Sequence, residues 1–387
     1  MADHPATRRY DLDWLRIIAF SLLILYHVGM FYVSWDWHVK SAHASPALEP
    51  MMRMVNPWRL ALLFLISGVA IRFATDKAEG LARFAWQRTV RLGLPLLFGI
   101  LAWVMPQAYY ELRQSGEFTG SLLDFYPQYI SVEQSFSIIT PTWNHLWYLA
   151  YVLAYILLIL PVLPWLRRLA RSPAWQAVTA RPLVVVFLLI LPFAANEAWM
   201  TPRFPTTHAL IDDWAQHGHR FMIFLVGFLV ARDPGFWRTV DRVWKLMPLL
   251  AVVTWLTLQN ASAVVALAGG RLPEGAWQFI FSYVGTIYAW SCILTLLGFG
   301  QRFLNRPSAP LRYLTGAIFC YYVLHQTITV VAGYYLVPHE LGATAEAALL
   351  LGITVGGCVL GYELLRRIPG VGVLFGVHRV SGYDKGR

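Results

Sequence analysis

The stretch Asp11–Tyr32, DLDWLRIIAFSLLILYHVGMFY, decides how the rest of the chain is read. Its centre is apolar, and it is long enough to cross hydrocarbon, which takes about 20 residues of helix. Arg16 and His27 lie inside it all the same. Ionisable side chains in a spanning helix are costly and turn toward protein or a water-filled path. Eleven residues separate the two, close to three helical turns, so they share one face about 16 Å apart along the axis. Asp13, one turn below Arg16, falls on the same stripe.

Composition makes this segment typical of the chain. Of 387 residues, 57% are hydrophobic and 13% charged, where a soluble protein carries about 25% charged residues. Mean hydropathy is +0.51. The 17 Trp, 19 Tyr and 22 Phe supply the aromatic load of membrane-interface belts. A set of soluble domains is excluded, and an all-α, polytopic integral membrane protein is expected. The net charge of +10 comes in small basic groups at alternate breaks between apolar runs. That distribution excludes a nucleic-acid surface, which gathers its charge on one face or tail. Cys292, Cys320 and Cys358 lie in apolar segments without metal-ligand spacing and read as core thiols. The first apolar run is long and contains Arg16, so it is expected to be retained rather than cleaved as a signal.

Apolar runs fall near 12–34, 58–75, 93–110, 145–166, 183–200, 246–268, 276–300, 313–337 and 343–365, with a weaker one at 218–231. Counting the weak run gives about ten helices and both termini on one side. With the N-terminus cytoplasmic, 24 of the 31 Lys and Arg fall inside, as the positive-inside rule requires. Omitting the weak run reverses every later loop and spoils that asymmetry. The expected domain is therefore a single membrane domain over 1–387. Its outer loops hold Glu111, Glu117, Asp124 and Glu133 among their acids.

Several residues stand out as chemistry-bearing. His27 suits a general base in the outer half of the membrane, because imidazole exchanges a proton near neutral pH. Arg88 and Arg91, three apart just before Pro95 and an expected new helix, suit bidentate phosphate binding. Asn144, His145 and Trp147 sit at the outer mouth of the fourth run, and His325 with Gln326 lies deep in the ninth. Two adjacent polar groups at that depth need partners. Ser67-Gly68 permits close helix approach. Glu363 is expected to pair with Arg366 or Arg367. A metal site from Asp36, His38 and His43 is conceivable, although an aromatic belt explains that loop better, and no metal is expected.

Taken together, the Arg16/His27 spacing, the RxxR of Arg88 and Arg91, LISG in the second run and HLWYL in the fourth resemble the acyltransferase-3 family of ten-helix membrane acyltransferases. The resemblance implies an O-acyltransferase using cytoplasmic acyl-CoA, most plausibly succinyl-CoA, as co-substrate with no permanent cofactor. The implied acceptor is a hydroxyl of a periplasmic glucan or another envelope glycan. His27, Arg16 and His325 would be catalytic, and Arg88 and Arg91 would hold the CoA phosphates. Asn144, His145, Trp147, Trp35, Trp37 and Asp13 would line the substrate path. Membrane lipid and a second copy of the chain are the other partners implied. One departure concerns the helix-four neighbourhood, where many members carry a Glu after the Trp. Here Trp147 is followed by Tyr148, Leu149, Ala150, Tyr151 and Val152, so no role can rest on that Glu. A secondary transporter or flippase of an anionic metabolite, and an O-acetyltransferase of another polysaccharide, remain the competing readings.

Overall fold

The structure, a computed structural model, describes residues 8–131, 135–269 and 271–377. Glu133 and the terminal Arg379, Lys385 and Arg387 lie outside them. Among the described residues every regular element is helical. The α-helices are α1 (Tyr10–Met30), α2 (Glu49–Asp76), α3 (Leu81–Phe98), α4 (Met105–Ser115), α5 (Leu122–Ile130) and α6 (Trp147–Ile159). There follow α7 (Leu163–Arg171), α8 (Pro173–Thr179), α9 (Leu191–Trp199), α10 (Trp214–Val230), α11 (Pro234–Val243) and α12 (Met247–Gln259). The last are α13 (Ala261–Leu267), α14 (Glu274–Phe299), α15 (Ala309–Leu336), α16 (Ala343–Leu365) and α17 (Pro369–Leu374).

Six helical stretches are long and apolar enough to cross a bilayer: Tyr10–Met30, Pro46–Asp76, Leu81–Ser115, Glu274–Leu304, Ala309–His339 and Ala343–Leu365. Three bent pairs bring the candidate spans to as many as nine among the described residues. The bends are 82° between α6 and α7, 92° between α8 and the stretch Val184–Trp199, and 80° between α12 and α13. The weak run appears as α10, a helix of 17 residues and so about 26 Å long.

Two expected boundaries move. Arg88 and Arg91 lie inside α3 rather than ahead of a helix, because Pro95 is carried within it. A proline in a spanning helix forfeits one backbone bond, which neighbouring groups can replace. Glu111 lies on α4 rather than in a loop. That helix restarts at Met105 with Pro106 in its first turn and runs to Gly116, whose left-handed φ of 78° closes it. Between the two helices, Gly99–Trp103 forms a π-helical turn, so Leu81–Ser115 is one rod of 35 residues.

The chain packs as two compact units, each built from separate stretches. The first comprises Met1–Ala19, Met54–Ala85 and Ala154–Ser308, and the second Phe20–Arg53, Trp86–Leu153 and Ala309–Arg387. In the first unit, α2 and α10 cross at glycines. A Cβ on Gly68 would stand 1.9 Å from the Phe224 carbonyl oxygen, and one on Gly227 would stand 2.0 Å from that of Leu65. The expected close approach at Ser67-Gly68 is therefore present, with α10 as the partner. In the second unit α15 packs along α16 and against α4. There Glu363 accepts from Arg366 at 2.6 Å and from the Tyr313 hydroxyl at 2.9 Å, with Arg367 3.8 Å away. All three cysteines are free thiols, Cys320 and Cys358 buried.

Candidate active site

The second unit gathers its polar side chains on α15, α4, the turn before α6, and the C-terminal end of α1. On α15, the His325 ring is fully buried and folds back on its own helix. Its Nδ1 lies 2.7 Å from the Tyr322 carbonyl oxygen and 3.2 Å from that of Tyr321. A carbonyl only accepts, so Nδ1 carries the proton and Nε2 of neutral His325 is the acceptor. Nδ1 of His27 stands 2.8 Å from that Nε2, with the rings stacked at 5.0 Å and 5°. His27 Nδ1 therefore donates, and the tautomer this network assigns makes His27 Nε2 the basic nitrogen. His27 is only half-buried, and the Trp37 ring lies 6.4 Å from it at a 31° tilt.

His145 completes the histidine group. Its ring meets His325 edge-on at 5.1 Å, its Nε2 donates to the Val323 carbonyl at 3.2 Å, and its backbone oxygen accepts from the Tyr322 hydroxyl at 2.5 Å. Beside it, fully buried Gln107 acts as a hub. Its Nε2 donates to Thr327 Oγ1 at 2.7 Å, while its Oε1 accepts from Asn144 at 2.9 Å and from Gln326 at 3.0 Å. Thr327 in turn donates to the Trp103 carbonyl at 2.8 Å, inside the π-helical turn. The widened turn thus supplies an acceptor to the site. Gln326 Nε2 also donates to His38 Nε2 at 2.9 Å, and His38 Nδ1 donates to the Glu111 carboxylate.

His27, His325, His145, Asn144 and Trp37 are thus gathered in one unit. Trp147 and Trp35 belong to the same unit but make other contacts. Trp147 packs on Tyr151 at 4.9 Å, and the Trp35 ring lies beneath Arg53. Arg16 belongs to the first unit, where its Nη2 donates to Asp13 at 3.1 Å. There it lines a cavity of about 370 Å³ with Arg8, Arg9 and Lys77. Arg88, half-buried, and Arg91, exposed, stand on α3 in the second unit. Gln107 and Glu111 follow sixteen and twenty residues after Arg91 on the same rod, about 24 and 30 Å along it.

The residues missed from sequence are Gln107, Glu111 and Thr327, together with His38 as part of this network. Glu111 and His38 lie 73 positions apart, and only the fold brings them together. The conceivable metal trio does not assemble: His38 is held by Glu111 and Gln326, and His43 Nε2 donates to the Leu341 carbonyl at 2.6 Å. No cluster of three or more His, Cys, Asp or Glu suited to a metal occurs among the described residues. Nearby, in the segment that follows α1, the Lys40 ammonium donates to the carbonyls of Met30 at 2.6 Å and Trp35 at 2.9 Å, and to that of Val33. Burial lowers the Lys40 pKa, against the pull of Asp36 and Glu49.

The acyltransferase-3 model, described as an acyltransferase domain, matches residues 9–363. The chain belongs to the acyltransferase-3 family. Among curated proteins it is similar to glucans biosynthesis protein C of Salmonella paratyphi A, at 26% identity over 97% of this chain and 96% of the relative. The protein of the same name from Salmonella agona matches to the same extent. No solved structure is similar to the chain. A membrane acyltransferase is thus shown, and within that family the histidine group is the candidate reaction centre.

Proposed function

We propose that this chain is an inner-membrane O-acyltransferase that moves an acyl group, succinyl by preference, from cytoplasmic acyl-CoA to a hydroxyl of a periplasmic glycan. The name of the relatives, glucans biosynthesis protein C, supports a glucan as acceptor. One observation carries the reading: the Tyr322 carbonyl, His325 and His27 form a chain that fixes the His27 tautomer and makes Nε2 basic. The glycan hydroxyl loses its proton to that nitrogen as its oxygen attacks the thioester carbonyl. The C–S bond then breaks, CoA leaves as its thiolate, and His27 returns the proton. General-base assistance of this kind contributes about 10²–10⁴-fold in rate. Arg88 and Arg91 hold the CoA phosphates. Trp37, beside His27, offers an aromatic face to a sugar ring, with His145 and Asn144 positioned behind it.

The compartment argument needs ten spans with both termini cytoplasmic, acting as one membrane domain. Contacts within the first unit support it. Asp76 at the end of α2, Arg167 on α7 and Arg232 after α10 meet through salt bridges of 3.2 and 2.7 Å, which supports putting those segments on one side. The other end of α10 lies beside α9, where Asn196 donates to the Ala215 carbonyl at 2.9 Å. That pairing of α9 with α10 supports counting the short helix as a span of its own. Arg9 lies 3.8 Å over the Trp237 ring, and the Tyr10 amide donates to Asn305 at 3.1 Å. These contacts support a cytoplasmic N-terminal segment beside the other basic loops.

Purified protein with labelled succinyl-CoA and a glucan should release free CoA and form an ester. His27→Ala, still inserted and folded, should lose about 10²–10⁴-fold of that activity. Near-normal acylation at equal protein level removes His27 as base. Substrate movement without ester or free CoA would establish a transporter instead.

A further inference from the structure

The structure carries a second concentration of charge, in the first unit, that the acyl-transfer reading does not use. Arg72 is 1% exposed. Its Nε reaches Asp76 at 3.2 Å, and its guanidinium lies 5.2 Å from the Phe228 ring, while its buried Nη1 has no hydrogen-bond partner. An arginine so deeply buried is costly unless its charge and its N–H groups are both matched. The matching is incomplete, because the same Asp76 carboxylate also serves Arg167 at 3.2 Å and Arg232 at 2.7 Å. The nearby carboxylate of Asp233 is committed elsewhere: it accepts from the Gly235 amide at 2.8 Å, capping α11, and from the Thr179 hydroxyl at 2.5 Å. Positive charge is therefore in excess here.

Arg167 links this cluster to open space. It lines a cavity of about 590 Å³ whose other cations are Arg168 and Arg171, with Ser172 beside them, and its own buried Nε lacks a hydrogen-bond partner. Arg168 and Arg171 are both exposed on α7. A cluster tied only for topology would leave each guanidinium in water or paired. Here buried N–H groups face an unbalanced field next to a cavity rimmed by further arginines. Forked guanidiniums at that spacing are suited to the oxygens of a phosphate.

We infer that the Arg72/Arg167 cluster and the adjoining arginines of α7 form a phosphate-binding site. It is separate in sequence from Arg88 and Arg91 and independent of the acyl-transfer reading. The phosphate belongs either to a soluble phosphorylated molecule or to an anionic lipid headgroup, and the two sources separate experimentally. Protein in neutral detergent is titrated with sodium pyrophosphate, and separately reconstituted in phosphatidylcholine nanodiscs with or without phosphatidylglycerol. Thermal unfolding is followed in each case. A rise with pyrophosphate identifies a soluble ligand, and a rise confined to phosphatidylglycerol identifies a lipid. In either case Arg168→Gln with Arg171→Gln, exposed positions that spare the buried Arg72, should weaken the apparent affinity about tenfold. Arg306→Gln, an exposed control, should leave it unchanged. No rise in either medium, or an equal rise in the double variant, overturns the site.

Discussion

In the second unit, His27, His325, His145, Gln107, Gln326 and Asn144 are joined by hydrogen bonds that need no net charge. In the first, three arginines share one carboxylate. The difference follows from what each environment tolerates. The centre of a neutral network, here His325 and Gln107, can be fully buried because its donors meet acceptors, whereas a charge needs a counter-charge or access to the interface. Three of the four arginine-cluster residues accordingly retain some exposure. On the function proposed above, the base belongs to the neutral network, where a second imidazole fixes its tautomer without adding charge.

Removing that second imidazole is the strongest way to break the comparison. His325→Ala deletes the acceptor that fixes the His27 proton, and acylation should fall about 10²–10⁴-fold. Because the two rings act as a unit, His27→Ala with His325→Ala should be little worse than either alone. Losses that multiply would mean that the histidines act separately.

The first unit depends on backbone approach as well as on charge. Gly227→Ala sets a methyl against the Leu65 carbonyl, a contact that only a shift of α2 or α10 relieves. The variant should lose about 3 kcal/mol, read as a lower unfolding temperature and poorer membrane yield. Wild-type stability would show that the two helices separate without cost. Within the neutral network, Gln107→Leu removes one donor and one doubly used acceptor. It should cost about 2 kcal/mol in stability and reduce the turnover number more than substrate affinity, since Asn144 and His145 lose their support. A rise in KM alone would place Gln107 outside the reaction centre.

How much of this was legible depends on the kind of signal. Arg16 and His27 were readable because an ionisable residue in an apolar run is conspicuous, and helical spacing is regular enough to put both on one face. The weak run at 218–231 was readable through charge asymmetry, and it is present as α10. His325 and Gln326 were conspicuous for their depth. Glu111 was not, because an acid after an apolar run looks like a loop residue until Pro106 is seen to restart the helix. Its link to His38, and the convergence of Gln107 with Asn144 and Thr327, are long-range pairings without any local periodicity. Arg72 was legible only as one more inner-side charge, since its burial comes from its neighbours.

Arg88 and Arg91 give the comparison its finest test, because they place two charges in the unit whose centre is neutral. Both stand on the rod that carries Gln107 and Glu111 near its far end. On the function proposed above, they handle the phosphate end of the donor while the histidines handle the thioester. Arg88→Ala with Arg91→Ala should therefore weaken CoA binding about tenfold, roughly 1.4 kcal/mol, and raise KM for the acyl donor with the turnover number nearly unchanged. The separation between KM and turnover is the informative readout. A matching fall in turnover would mean that the rod transmits a change from its charged end to the histidines, and unchanged CoA affinity would reduce both arginines to setting topology.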